Sequence, residues 1–274
     1  MTYRLCNILL WLGISLASAA QVPEGFHTGT PIPYGHSHND YTHRRPLWEA
    51  LENGFTSVEI DIYTAADGSL RVSHLPLALQ SKPTLEALYL APLRQWIDRN
   101  GGRVYADTDI TLTLMIDLKG DGNATYPILK QVLLPYRDYL TIYHGTEVKK
   151  GPLRILLSGS RPEEAIALET EQWVSLDGSL GVDYTGKNLR VDRQSASFGS
   201  RFKKRADGRL SPSEHEQLAR WVKETTEKGR EIRFWAAGNN PRLWKTLADA
   251  GVTTLNADKP ALFRQWVLRY EKSK

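Results

Sequence analysis

The sequence predicts an α/β fold, a (β/α)8 TIM barrel formed by one large domain. Short apolar runs alternate with helical patterns about eight times in roughly 250 residues, which is the number of units and the length expected of such a barrel. Most of the runs are apolar on both faces, as expected for strands that helices cover. The predicted strands cover residues 31–36, 56–63, 112–119, 153–158, 173–176, 189–195, 231–236 and 252–256.

Helical patterns occupy most of the intervals between these strands, and several have clear end signals. Ser211, Pro212 and Glu214 form the signature of an N-terminal capping box, and Gly54 and Gly251 follow predicted helices as stops. A doubly wound open sheet is the structural alternative, but no strand is followed by a glycine-rich phosphate loop. The predicted helices cover residues 45–53, 84–99, 126–140, 162–170, 211–228 and 240–250.

The composition is that of an ordinary soluble globular protein. Of the 274 residues, 41% are hydrophobic and 24% are charged, and the formal net charge is +4. The sequence has no long stripe of lysine and arginine and no motif that would indicate a nucleic-acid partner. The single cysteine, Cys6, lies near the N-terminus. The domain that follows is therefore expected to contain no disulfide, no thiol nucleophile and no cysteine metal ligand.

The N-terminal residues are typical of a secretory signal. Arg4 supplies a positive start, residues 8–16 form a short apolar core, and residues 17–20 offer small side chains for cleavage. The apolar run is too short to span a bilayer comfortably. The sequence therefore predicts a signal peptide at residues 1–20, a single barrel domain at residues 21–274, and export to the periplasm or secretion.

Acidic side chains lie on the second and third predicted strands. Glu59 and Asp61 are two residues apart, so both point to the same side of a strand, and Asp117 lies on the next strand. Because the carboxyl ends of barrel strands meet at one mouth, these three carboxylates are expected to converge. Carboxylates that share one site repel each other unless a cation or a proton lies between them. The pattern therefore predicts a site for a hard divalent cation, which prefers oxygen ligands.

Histidines and a lysine flank this acidic set. His36 and His38 end the first strand, and a tight turn at Asp67-Gly68 would fold His74 back beside the carboxylates. Lys119, at the end of the third strand, could contact an anion as a point charge. An anion beside a cation, flanked by two imidazoles, indicates phosphate-ester chemistry.

The order of these residues resembles the superfamily of glycerophosphodiester phosphodiesterases and PI-specific phospholipases C. The chain looks most similar to an exported bacterial branch, which is related to the altered-inheritance-of-mitochondria phosphodiesterases of fungi. The resemblance implies a barrel of the PLC-like phosphodiesterase type. The segments that carry it are His36-Ser-His-Asn-Asp-Tyr41, Arg45-Pro-Leu47, Ser57-Val-Glu-Ile-Asp-Ile62, Asp67-Gly-Ser-Leu-Arg-Val-Ser-His74, Ile116-Asp-Leu-Lys119, Arg233-Phe-Trp-Ala236 and Gly251-Val-Thr-Thr-Leu-Asn-Ala-Asp258.

The resemblance implies a role for each matching residue. His38 and His74 correspond to the general acid-base pair of the superfamily, and Lys119 corresponds to a basic residue that contacts the phosphate. Trp235 corresponds to an aromatic residue in the wall of the pocket. The ligands of one divalent cation, usually Mg²⁺ or Ca²⁺, correspond to Glu59, Asp61 and Asp117.

One departure from the superfamily pattern concerns phosphate binding. The sequence has His38-Asn39-Asp40 where the glycerophosphodiesterases have His-Arg-Gly, so the arginine that grips phosphate is missing. Asn39 is expected to contact the metal or the phosphate instead. The resemblance implies a phosphoric diester hydrolase acting on a phospholipid-derived or glycerophosphodiester-like substrate. Transient contact with a membrane surface would fit such a substrate, and no protein partner is indicated.

Two other functions are also consistent with the sequence. His36-Ser-His38 also resembles the metal motif of amidohydrolase barrels, with Asp258 as a last ligand, but that reading leaves Glu59 and Asp61 unexplained. The other alternative is a non-catalytic barrel that binds a phosphate ligand, although binding alone does not need two proton carriers. Of the remaining polar candidates, His36 is expected only to hydrogen-bond a loop. The others are expected to be loop or surface residues: His43, His144, His215, Asn256 and Asp258.

Overall fold

The structure of the protein is a computed structural model that describes residues 21–273. The predicted signal segment, residues 1–20, lies outside the described residues. One sheet of nine strands contains eight parallel strands that curl into a nearly closed barrel, which confirms the predicted architecture. The strands are β1 (Ile32–Ser37), β2 (Phe55–Thr64), β3 (Leu70–Val72), β4 (Leu112–Leu118), β5 (Ile142–His144), β6 (Glu147–Lys149), β7 (Leu153–Gly159), β8 (Val174–Ser179), β9 (Val191–Ser197), β10 (Glu231–Trp235) and β11 (Leu255–Ala257).

Helices follow most of the barrel strands and cover the outside of the sheet. The longest described helices bury one apolar side against the strands and expose the other to solvent. Within residues 21–273, no helix has the length and apolar character needed to cross a bilayer. The helices are α1 (Trp48–Glu52), α2 (Ala91–Arg99), α3 (Gly122–Leu133), α4 (Glu163–Ala167), α5 (Phe198–Arg201), α6 (Pro212–Thr226), α7 (Pro241–Asp249) and α8 (Pro260–Lys272).

Strand order around the barrel follows the chain: β1, β2, β4, β7, β8, β9, β10 and β11. β11 pairs in parallel with β1, and Thr254 bridges to Arg233 of β10. The Thr254 amide donates to the Ile232 carbonyl at 3.1 Å, which joins the last two strands. All carboxyl ends of the barrel strands therefore meet at one end, here called the upper mouth, where Ser37 and Trp235 lie. The amino ends meet at the lower mouth.

The predicted hairpin after β2 is present. β3 runs antiparallel to β2, with Ile62 opposite Val72. Gly68 makes the turn possible because its φ is +77°, a backbone conformation that L side chains rarely adopt. The Ser73 amide then donates to the Asp61 carbonyl at 3.1 Å, so the chain returns to the upper mouth beside β2.

Side chains of β2 alternate between two environments. Val58, Ile60 and Ile62 are fully buried between the sheet and the helices, whereas Glu59 and Asp61 point into the barrel. This follows from the two-residue period of a strand. Burying each aliphatic side chain contributes about 1.5–3 kcal/mol. The outer core therefore fixes the register of β2 and, with it, the height of the two acids inside the barrel.

Some features of the structure differ from the predicted elements. The helix predicted at 126–140 begins earlier, because the Asp121 side chain caps it by accepting from the amides of Asn123 and Ala124. The chain leaves the α-helix at Leu133 and enters a 3-10 turn that contains Pro135. The sequence patterns also did not predict the small β5–β6 hairpin or helix α8.

Candidate metal and acid-base site

Three carboxylates converge at the upper mouth. Asp61 of β2 is in register with Asp117 of β4, and Glu59 lies two residues earlier on the same face of β2. Each residue offers one carboxylate oxygen, and these three oxygens lie within 4.8 Å of one another. Glu59 and Asp61 are buried, and Asp117 is partly buried. The fold thus brings together the three acids that the sequence grouped; they are called the acidic cluster below.

Two oxygens of the acidic cluster lack a suitable donor. Within residues 21–273, Asp61 Oδ1 is buried and accepts no hydrogen bond. Asp117 Oδ1 accepts none of good geometry either, although Lys119 Nζ lies 3.0 Å away. Gly159 makes room here, since a Cβ at that position would lie 2.3 Å from Asp117 Oδ1. Buried oxygens without partners are costly, so this all-oxygen donor set fits a hard divalent cation.

Glu59 is held from two sides through one oxygen. Its Oε2 accepts from Arg233 Nη2 at 2.6 Å and from His36 Nε2 at 3.0 Å. Burial raises the pKa of Glu59, but the Arg233 charge and the His36 hydrogen bond outweigh it, so the pKa is lowered. The carboxylate is therefore ionised at neutral pH. Among the described residues, none donates a hydrogen bond to its other oxygen, Oε1.

His36 lies inside the barrel and makes no loop contact, so the sequence-based expectation for it is wrong. Its Nε2–H donates to Glu59, and its Nδ1 accepts from the Ser57 hydroxyl at 2.7 Å. Burial and the Arg233 charge lower the pKa of His36 to about 3, which keeps the ring neutral. The reason is register: β1 pairs with β2 so that His36 lies opposite Ser57. Both ring nitrogens are occupied, which leaves neither for a metal ion.

His38 lies at the mouth, directly after β1 and two residues beyond His36. Its Nδ1 lies 2.5 Å from Asp258 Oδ1, and its Nε2 lies 4.0 Å from Glu59 Oε2. The hydrogen bond to His38 lowers the pKa of Asp258 despite partial burial of that carboxyl. An ionised carboxylate only accepts, so Asp258 favours the tautomer with the proton on Nδ1. Nε2 is then the acceptor that faces the acidic cluster.

Asp258 is itself held in place by a neighbouring loop. Asn239 Nδ2 donates to Asp258 Oδ2 at 2.6 Å, and Asn239 Oδ1 accepts from the Asp258 amide at 2.8 Å. Asp258 lies in the loop after β11, as expected from the sequence, and from there it contacts His38. Its position just after a barrel strand, at the upper mouth, was the signal that could have identified this contact. Asn256, also expected in a loop, is buried in β11 and accepts from Arg233 Nε at 2.7 Å.

His74 approaches the acidic cluster from the hairpin. Its Nδ1 lies 2.8 Å from Asp61 Oδ2, and its side chain is 63% exposed. Tyr41 donates its hydroxyl to the same Asp61 oxygen at 2.8 Å and lies 3.1 Å from Asn39 Oδ1. Burial and the Asp61 charge raise the pKa of Tyr41, so the phenol stays protonated. Sequence reasoning missed Tyr41, although it belongs to the same motif as Asn39.

Lys119 bridges two members of the acidic cluster. Its Nζ lies 3.0 Å from Asp117 Oδ1 and 3.3 Å from Asp61 Oδ2. Burial alone would lower the pKa of Lys119, but the two carboxylates raise it, so the ammonium stays charged. Burial raises the pKa of Asp117, and the neighbouring acids add to this while Lys119 opposes it. The single ammonium therefore neutralises the acidic cluster only in part.

Asp40 anchors the loop that carries His38. It is fully buried and accepts from the Ser37 hydroxyl at 2.8 Å, the Leu47 amide at 2.6 Å and the Tyr89 hydroxyl at 2.8 Å. His43, expected in a solvated loop, has a side chain only 8% exposed. The tight loop that forms around Asp40 places the His43 side chain toward the protein interior.

The other predicted candidates lie apart from the acidic cluster. Trp235 ends β10 at the upper mouth and is 46% exposed, and its role in a pocket wall stays a prediction. His144 is exposed beside Glu171, at 3.2 Å, and His215 is exposed on α6, as expected for surface groups.

Comparison with known proteins identifies the family. Residues 27–175 match the AIM6-like phosphodiesterase domain. Altered inheritance of mitochondria protein 6 homolog of Arthroderma benhamiae is 30% identical over 258 aligned residues, covering 83% of this chain and 81% of that protein. Altered inheritance of mitochondria protein 6 of Kluyveromyces lactis is 30% identical over 296 aligned residues, covering 84% of this chain and 71% of that protein.

A solved structure supports the same fold. A glycerophosphodiester phosphodiesterase from Parabacteroides distasonis matches with a TM-score of 0.56 and 17% identity, covering 89% of this chain and 100% of that chain. At this identity the likeness concerns the fold alone, and it agrees with the TIM barrel. The predicted resemblance to the glycerophosphodiesterase and PLC-like superfamily is confirmed at the level of family and fold.

The prediction of a periplasmic or secreted protein from an exported bacterial branch is contradicted. The relatives are fungal proteins named for altered inheritance of mitochondria. Residues 1–20, on which the prediction rested, lie outside the described residues. A short apolar run after a basic residue measures hydrophobicity and does not by itself identify a compartment. The chain belongs to the AIM6-like phosphodiesterase domain family.

Proposed function

We propose that this chain is a metal-dependent phosphoric diester hydrolase that uses His38 and His74 as its acid-base pair. Membership of a phosphodiesterase-domain family supports hydrolysis of a phosphodiester. The observation that carries the finer proposal is the acidic cluster itself, which lies between the two imidazoles. His38 Nε2 is 4.0 Å from Glu59 Oε2, and His74 Nδ1 is 2.8 Å from Asp61 Oδ2.

Glu59, Asp61 and Asp117 would hold one divalent cation, Mg²⁺ or Ca²⁺. Such a cation, when bound, supplies Lewis-acid stabilisation of negative charge on a phosphoryl oxygen. Lys119 adds a second positive charge at the same place, and the raised pKa keeps it protonated. Asn39 is proposed to contact the phosphate, and Trp235 to form part of the pocket wall.

The proton transfers follow from the hydrogen bonds of the two histidines. With its Nδ1 proton held by Asp258, His38 has Nε2 free to take a proton from the nucleophile. The oxygen of that nucleophile forms the new bond to phosphorus; the nucleophile is water, or a hydroxyl of the substrate that would give a cyclic product. As the bond from phosphorus to the leaving oxygen breaks, His74 donates a proton to that oxygen. The proposed substrate is a phospholipid-derived or glycerophosphodiester-like molecule.

The test is hydrolysis of a chromogenic phosphodiester with and without added Mg²⁺ or Ca²⁺. We expect His38→Ala and His74→Ala each to lower kcat/KM by about 10²–10⁴. His215→Ala is the matched control, because this exposed histidine lies on α6, away from the acidic cluster. Unchanged turnover in either variant removes that histidine from the mechanism. Turnover that chelator does not affect contradicts the metal requirement.

The amidohydrolase alternative has less support from the geometry. It requires His36 and His38 as metal ligands, but both ring nitrogens of His36 are engaged by Ser57 and Glu59. Tightly held zinc on metal analysis would favour that alternative over exchangeable Mg²⁺ or Ca²⁺. Calorimetric binding of phosphate ligands without any turnover would instead favour a non-catalytic barrel.

A further inference from the structure

An apolar segment projects into solvent directly after His74. Residues 75–79 have the sequence Leu-Pro-Leu-Ala-Leu and are called the apolar loop. Leu75 is 55% exposed and Leu77 is 66% exposed, and the loop contains two of the large exposed apolar side chains in the described chain. Scattered single leucines at a surface need no explanation, but neighbouring ones beside a candidate active site indicate an interaction surface.

The apolar loop is continuous with the candidate site. A groove of about 500 Å³ is lined by Leu75 and Leu77 together with Tyr41 and His74. Tyr41 and His74 also contact Asp61, a member of the acidic cluster. A group held by the apolar loop would therefore lie next to the proposed proton donor.

A basic segment lies at the same end of the barrel. Residues 201–209 begin at the last residue of α5, the short helix that follows β9, so they lie at the upper mouth. They contain five basic residues and one acid. Lys203 and Lys204 form no ion pair within residues 21–273 and so present free positive charge. Asn240, after β10, donates to the Ala206 carbonyl at 3.0 Å and ties this segment to the rim of the mouth.

Three of the acidic side chains at this end are engaged within their own turns. Asp67 accepts from Arg71 at 2.8 Å, and Asp183 accepts from the Thr185 hydroxyl at 2.7 Å. Asp121 caps α3. These carboxylates oppose the basic segment less than a simple count of charges suggests, because each is tied to neighbouring donors.

We propose that the upper mouth docks on an anionic lipid surface. The apolar loop enters the interfacial layer, and the basic segment, residues 201–209, lies against the lipid phosphates. This arrangement combines the two contributions that hold peripheral proteins on membranes: buried apolar area and attraction to anionic lipid. The inference deepens the proposed function by naming where the substrate is met, and it rests on that function for the substrate's chemistry.

The test is co-sedimentation of the full chain with vesicles of phosphatidylcholine alone or with added phosphatidylserine. We expect binding that requires phosphatidylserine and weakens as salt is raised. The double variant Lys203→Gln/Lys204→Gln should lower the partition coefficient about 30-fold, at about 1 kcal/mol for each lysine. Leu75→Ser/Leu77→Ser should lower it about tenfold through lost apolar burial.

Matched controls lie at the other end of the barrel or away from the mouth. Leu168→Ser changes a leucine that is 86% exposed beyond α4, and Lys149→Gln/Lys150→Gln removes two adjacent charges near the lower mouth. We expect both to bind vesicles as the wild type does. Failure of the wild type to bind phosphatidylserine vesicles, or equal losses in test and control variants, overturns the proposal.

Vesicle binding requires no turnover, so this inference and the proposed function fail separately. A chain that binds vesicles through both upper-mouth segments but hydrolyses no diester supports the docking surface and contradicts the proposed function. A chain that hydrolyses a soluble diester but does not bind vesicles supports the proposed function and contradicts the docking surface.

Discussion

The two mouths of the barrel use buried charge in opposite ways. At the lower mouth, Glu231 accepts from Arg154 at 2.5 Å and forms an ion pair with Arg193 at 2.7 Å. At the upper mouth, Asp61 and Asp117 keep buried oxygens that accept no hydrogen bond of good geometry within residues 21–273. Charged side chains that pair with one another hold strands together, whereas carboxylate oxygens that accept no hydrogen bond are available to a ligand.

A cavity by itself does not mark the candidate site. The lower mouth contains a cavity of about 410 Å³ lined by Arg154, Arg193 and Glu231. Its ionic groups already partner each other, and the acidic cluster lies at the other end of the barrel. A cavity lined by ionic groups that already pair with one another is therefore weaker evidence of a ligand site than buried carboxylate oxygens that accept no hydrogen bond.

The largest effect we expect comes from breaking the lower network. Glu231→Gln leaves the buried Arg193 guanidinium without its carboxylate, so we expect a loss of about 3–5 kcal/mol in the free energy of unfolding. Urea denaturation at pH 7 measures this. Glu227→Gln, on an exposed residue after α6, is the control. A loss below about 1 kcal/mol would show that the lower network does not hold the strands together.

The ion pairs of Glu231 also predict that the free energy of unfolding depends on pH. Burial raises the pKa of Glu231, but Arg193 and Arg154 outweigh it and lower the pKa to about 2. The stabilisation from Glu231 is therefore present above the usual glutamate pKa and is lost as the pH falls toward 2. In that window Glu231 adds a slope of about 1.4 kcal/mol per pH unit. Denaturation curves of wild type and Glu231→Gln with equal slopes there would contradict this assignment.

At the upper mouth, the expected losses are in activity. Asp258→Asn replaces a carboxylate that only accepts with an amide whose NH2 can donate to His38 Nδ1 and so favour the other tautomer. We therefore expect kcat to fall about 10–100-fold with little change in KM. Asp183→Asn is the control, because this exposed aspartate only closes its own turn. A rise in KM and a loss of thermal stability, with kcat intact, would mean that Asp258 has only a structural role.

The smallest effect we expect is a gain in stability from a substitution in the acidic cluster at the upper mouth. The raised pKa of Asp117 means that folding disfavours its ionised form, chiefly through burial. We therefore expect Asp117→Asn to raise the free energy of unfolding at pH 7 by about 1 kcal/mol, and the gain to shrink as the pH falls. Urea denaturation in the presence of chelator measures this. A destabilised variant would contradict the view that the acidic cluster is strained without a ligand.

Much of the fold and of the acidic cluster was predictable because it follows from local rules. Because side chains of a strand alternate with a period of two residues, Glu59 and Asp61 were predicted on one face of β2. Because the carboxyl ends of barrel strands lie at one mouth, Asp117 was predicted beside them. The turn at Asp67-Gly68 placed His74. Each of these inferences needed only the sequence near the residue and the barrel topology.

The rest depended on contacts across the barrel, which local patterns do not contain. Arg233 is far from Glu59 in the chain, yet its guanidinium crosses the interior to donate at 2.6 Å. Asp258 and His38 meet only because β11 closes the barrel against β1. His36 was misassigned for the same reason, since the register between β1 and β2 decides what its ring contacts.

Calorimetric titration of Mg²⁺ and Ca²⁺ into the metal-free protein at pH 7 tests the central claim most directly. If the acidic cluster is a cation site, the wild type binds one divalent ion, and Asp61→Asn weakens binding at least about 100-fold. Glu164→Gln, an exposed carboxylate on α4, should bind as the wild type does. Absence of binding to the wild type, or equal binding by Asp61→Asn, would contradict the account.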